Sequence, residues 1–163
     1  MREVVGHGRR IAILASRDVL VVAATVGLVV ADASARASHA SGVAVALLAV
    51  ATGVAITLSG FYAHEWGHYL AARAAGATPV PAASPRSIYL FELAEDACTR
   101  EQWLVMSAGG YAATLAALPL IFSIIDLASL SGRVTALLVS FGVFATLALE
   151  LPITLRVYRK RPA

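Results

Sequence analysis

The stretch 43–63, VAVALLAVATGVAITLSGFYA, runs without a charged residue straight into His64-Glu65-Trp66-Gly67-His68. An apolar run of this length is enough to cross the hydrocarbon core of a bilayer as a helix. The polar pentad then sits at the end of a membrane span, where ionisable groups are costly and rarely idle. On a helix, His64 and His68 stand at i and i+4 on one face. That spacing lets both imidazoles reach one zinc ion, with Glu65 placed as general base. Gly67 falls between the ligands, where a bulky side chain would obstruct a neighbouring helix.

The rest of the chain agrees with a membrane class. Of 163 residues, 59% are hydrophobic and 14% charged, against about 45–50% and about 25% in soluble domains. Cys98 is the single cysteine, which excludes an internal disulfide and a thiolate metal site. A basic balance can signal nucleic-acid binding, but here the basic residues gather at the ends of apolar runs. Membrane topology accounts for them better than a phosphate-binding face.

Spans are expected at about 11–31, 43–70, 103–125 and 134–155, giving one all-α membrane domain with a connector between the second and third helices. The basic start and apolar core at the N-terminus resemble a signal peptide, yet the segment is expected to stay as the first span. Arg17-Asp18 interrupts it and reads as a snorkelling Arg with a local counter-ion. Residues 32–42 are small and polar and read as a loop. Gly76, Pro79, Pro81 and Pro85 end the second helix, and 87–93 is a short apolar run that suits a strand or a re-entrant segment. Trp103 is placed as an interfacial residue opening the third span. Its next turns carry Ser107-Ala108-Gly109-Gly110, small residues that let helices approach closely. Pro152 is expected to free carbonyls and loosen the end of the fourth helix.

Of the 13 Lys and Arg, only Arg36 and Arg133 lie on the side of the two short loops. The positive-inside rule therefore predicts a multi-pass cell-membrane protein with both termini and the connector in the cytoplasm.

Depth selects the third ligand that a catalytic zinc requires. At about 1.5 Å per residue, His64 lies roughly 32 Å from the outer end of its span, and Glu150 roughly 24 Å from the outer end of the fourth. Gly109 lies roughly 9 Å inside the cytoplasmic end of the third. A His pair, a carboxylate and a small-residue notch thus come to a similar level. Asp126, at the outer surface, is too far away. Glu92, Glu95, Asp96 and Glu101 in and beside the connector are weaker candidates, and an ion pair of Glu150 with Arg156 or Arg159 is the competing assignment.

At these residues the chain resembles the site-2 protease family of intramembrane zinc metalloproteases. Residues 64–76, HEWGHYLAARAAG, are similar to its H-E-x-G-H helix. Ser107-Ala108-Gly109-Gly110-Tyr111-Ala112-Ala113 is similar to its A-G-P-x-x-N helix, with Gly110 in place of Pro and Ala113 in place of Asn. Where the family has an Asp in L-D-G, the chain offers Leu149-Glu150-Leu151-Pro152.

The resemblance implies that His64 and His68 bind zinc, that Glu65 acts as general base on a zinc-bound water, and that the substrate is a membrane protein cut within the bilayer. Assigning the family's Asp role to Glu150 follows from depth, not from the motif. Gly109 and Gly110 are expected to contact the substrate. A catalytically inactive member acting as a binding or regulatory partner is the alternative, which the replaced Asn and the missing L-D-G favour and the intact Glu65 opposes. A small ion carrier is disfavoured by the lack of an inverted repeat. Oligomeric state, substrate identity and cleavage site leave no mark in the sequence.

Overall fold

Thr99 caps a helix through its side chain, accepting from the Gln102 amide while Gln102 returns a bond to the Thr99 amide. This capping box starts α3 (Arg100–Ile124) at the edge of an otherwise apolar segment. The other long helices of this computed structural model are α1 (Arg2–Ala37), α2 (Val43–Ala74) and α4 (Leu130–Lys160), with a short ribbon, β1 (Val80–Pro81) and β2 (Phe91–Glu92), between α2 and α3. Residues 2–92 and 98–160 are described, with side chains from Gly6 onward. The fold is all-α, and all four helices are long and apolar enough to cross a membrane.

Helix ends differ from the sequence expectation in ways the side chains explain. The first helix continues through 32–37, expected as loop, because Asp32 and Arg36 pair at i and i+4 (3.2 Å) and Ser131 Oγ donates to Asp32 Oδ2 at 2.7 Å. Pro152 does not end α4, which runs on to Lys160. Trp103, at the start of α3, is buried among Ala72, Cys98, Met106 and Val157. At the end of α2, Gly76 takes a positive φ of 76°, Ala77 N–H donates to Ala72 O, and Gly76 N–H to Arg73 O. This is the Schellman arrangement that a glycine at that place permits.

Arg17 also departs from expectation. Asp18 is its counter-ion at 2.7 Å, as expected. Its Nη1 turns to the connector, however. Nη1 donates to the backbone carbonyls of Pro85 and Ser87, and the guanidinium stacks over Tyr62 at 4.7 Å. Asp18 in turn accepts from Trp66 Nε1 at 2.9 Å. Beside this cluster, Leu14 and Leu90 are each 1% exposed and pack with Tyr69 and Ala82. The connector is thereby tied down on α1 and α2. Its antiparallel ribbon pairs Val80 with Glu92 and Pro81 with Phe91, so the run at 87–93 does contain a strand.

Helix α2 lies between the others and touches α1, α3 and α4. Close approach to α3 is made at Gly67 and Gly109: a Cβ on Gly67 would stand 2.5 Å from the Gly109 carbonyl oxygen. Such backbone proximity is what small residues permit between membrane helices.

Candidate metal centre

The small-residue contact between α2 and α3 brings the imidazoles of α2 against the α3 backbone. Nδ1 of His64 lies 3.0 Å from the Gly110 carbonyl oxygen and 2.8 Å from Thr114 Oγ1. Nδ1 of His68 lies 2.9 Å from the Met106 carbonyl oxygen. A carbonyl can only accept, so each Nδ1 carries a hydrogen, and each imidazole, when neutral, presents a lone pair at Nε2. This is how metal-binding histidines are held in orientation and tautomer.

Both lone pairs point at the same place. Nε2 of His64 and Nε2 of His68 are 2.9 Å apart. From α4, Glu150 brings Oε1 to 3.1 Å from His64 Nε2 and Oε2 to 3.3 Å from His68 Nε2. His64, His68 and Glu150 form a group that could hold a metal ion, with one ligand atom of each within 4.8 Å of the others. Electron-rich atoms this close repel one another unless a cation stands between them. Two ligands on a tetrahedral ion with bonds of about 2.0–2.1 Å are roughly 3.3 Å apart, so the observed spacing suits such an ion after small adjustments.

The histidines are 4% and 9% exposed, while the Glu150 side chain is partly open at 35%. Of the two assignments for Glu150, the carboxylate faces the imidazoles; among the described residues no ion pair joins it to Arg156 or Arg159. Asp126 pairs with Arg36 at the opposite end of the helices. Glu92 and Glu101 are exposed, and Glu95 and Asp96 lie outside the described residues.

Glu65 is buried on the same helix turn, and its Oε2 accepts from the Leu90 amide at 3.0 Å. It shares a cavity of about 270 Å³ with His68 and Glu150, walled also by Tyr89, Phe91 and Ser107. Ser107 accepts from Thr154 at 3.1 Å, joining α3 to α4 at the cavity edge. Gly109 and Gly110 do not border this space. Gly109 faces the α2 backbone, and a Cβ on Gly110 would collide with the His68 ring. Gly110 thus admits the His68 ring, and Gly109 admits the α2 backbone.

Four contributors escaped sequence reasoning: Thr114, the Gly110 and Met106 carbonyls, and the Leu90 amide. Backbone groups leave no residue signature, and a threonine in an apolar helix ordinarily bonds its own preceding turn. Comparison of the chain with protein-family models, with curated proteins and with solved structures gave no match.

Proposed function

We propose that the chain is an intramembrane zinc-dependent endopeptidase, a divergent relative of the site-2 proteases, with its termini and connector on the cytoplasmic side. One observation carries this reading: Glu65 opens onto the same cavity as His68 and Glu150, whose ligand atoms converge with that of His64. A purely structural polar cluster has no need of a second carboxylate facing the same space.

Zinc held by His64, His68 and Glu150 would supply Lewis-acid polarisation of a peptide carbonyl and make water acidic enough to attack at neutral pH. Glu65 accepts the proton of the attacking water and delivers it to the leaving amine. The Leu90 amide fixes one Glu65 oxygen and leaves the other for that transfer. Burial among apolar helices strengthens these electrostatic interactions. The cavity is flanked by the cytoplasmic-side connector through Tyr89 and Phe91, which gives water and substrate a route to the centre.

Ala113 favours the non-catalytic alternative, since it offers no amide where the family has Asn. New protein termini in membranes from cells producing the wild type or Glu65→Gln separate the two. The protease reading expects a set of termini that disappears in the variant while about one zinc per chain is retained. Identical termini in both overturn it in favour of a binding or regulatory role.

A further inference from the structure

A second cavity lies one helical turn away from the Glu65 cavity, within the apolar body of the bundle. Gly60, Leu118, Ile121, Val139, Gly142 and Thr146 line it, and His64 closes one end. Its volume is about 90 Å³. On the lipid side Gly142 is exposed, and a Cβ built there meets nothing within 4 Å. The wall opens at a glycine because no side chain fills the gap.

The two cavities are stacked along α2 and α4. His64 and Thr146 border the inner apolar one; His68 and Glu150, each four residues further on, border the other. The metal ligands therefore stand at the junction. Four helical residues rise about 6 Å, so from the junction the inner cavity is about half that distance away, roughly one residue of extended chain. A polypeptide lying along α4 with its reacting carbonyl at the junction would drop a nearby side chain into the apolar cavity.

Size decides which side chain. An engineered apolar cavity of about 150 Å³ is filled by benzene. The smaller space here suits a branched aliphatic group better than a phenyl ring. We propose that this cavity is a specificity pocket taking a branched aliphatic side chain of the substrate next to the bond that is cut. It rests on the reading of His64, His68 and Glu150 as a zinc centre with an open position.

The test is calorimetric binding to the zinc-loaded full chain in detergent, using hydroxamates that differ only in the group beside the chelating head: hydrogen, isobutyl or benzyl. Isobutyl is expected to bind at least about tenfold more tightly than either other compound, the scale on which an apolar pocket distinguishes methylene groups. Gly142→Leu should cover the open wall of the pocket and bring isobutyl down to the unsubstituted compound, with zinc content unchanged. Phe141→Leu, on the lipid-exposed neighbour outside the pocket, should keep the preference. Equal binding of all three compounds, or a preference that survives Gly142→Leu, overturns the pocket alone. If no hydroxamate binds the zinc-loaded wild type, the open metal centre itself is wrong and the pocket falls with it.

Discussion

Gly67 of α2 and Gly109 of α3 meet backbone to backbone, and a Cβ on Gly67 would lie 2.5 Å from the Gly109 carbonyl oxygen and 2.6 Å from Ala113 Cβ. Alanine is the better helix former by about 1 kcal/mol. Here that gain is outweighed, because the obstructing atom belongs to a backbone that cannot rotate away. Gly67→Ala should force the helices apart at an overpacking cost of about 1–3 kcal/mol. It should also draw the Gly110 and Met106 carbonyls away from the imidazoles. A lower thermal midpoint in detergent together with weaker zinc binding is expected. Unchanged zinc affinity would show that the α3 carbonyls do not orient the ligands.

Glu150 is the ligand contributed from the far end of the sequence, and its replacement tests the centre directly. Glu150→Ala leaves two imidazole lone pairs 2.9 Å apart with no carboxylate beside them. Metal analysis after dialysis should fall from about one zinc per chain to substoichiometric content, whereas perturbing the outer-layer partner Thr114 by Thr114→Val should weaken affinity by about 10–100-fold. The contrast in size between the two is the informative measurement. Equal, minor effects would remove Glu150 from the ligand set.

The sequence carried the spans, the His pair and the carboxylate because each is a composition or spacing signal. Uncharged runs of 21 or so residues mark bilayer crossing, and depth counted along a helix is enough to level Glu150 with His64. Long-range polar contacts were not legible. Arg17-Asp18 looks the same in sequence whether its guanidinium faces water or two connector carbonyls sixty-eight and seventy residues away. Asp32 and Arg36 sit in a segment rich in small polar residues, and the contacts that favour helix there include Ser131, arriving from α4, and Asp126, neither of which the local sequence announces. Pro152 breaks a local rule, yet the helix passes through it. The roles of Gly109 and Gly110 as packing positions depend on which face meets α2, a matter of bundle geometry.

Asp32 is 2% exposed and accepts from both Ser131 and Arg36 at the end of the bundle away from the histidines. Asp32→Ala removes the acceptor of the buried Ser131 hydroxyl and one of the two carboxylates paired with Arg36, a loss of about 1–3 kcal/mol. Its thermal midpoint should fall while zinc stoichiometry stays at the wild-type value. This makes it the control for the Gly67 variant. A loss of zinc would mean that the two ends of the bundle are coupled.

Arg17 holds the connector at the point from which the Leu90 amide reaches Glu65. The links are Nη1 to the Pro85 and Ser87 carbonyls, then Leu90 packed on Leu14 and Tyr69, then Leu90 N–H to Glu65 Oε2 at 3.0 Å. Hydrogen bonds to a charged group contribute about 1.5–3 kcal/mol each, so Arg17→Met should release 82–90 without unfolding the helices, its apolar stem still covering Tyr62. Amide exchange at Leu90 should quicken at least about tenfold, with exchange across α2 and α3 unaltered. Arg17→Lys should restore little, because an ammonium cannot span two carbonyls and a carboxylate in one plane. Exchange at Leu90 equal to wild type in Arg17→Met would place the hold on the connector in the Leu14 contact instead, and Leu14→Ala would then be the variant that frees it.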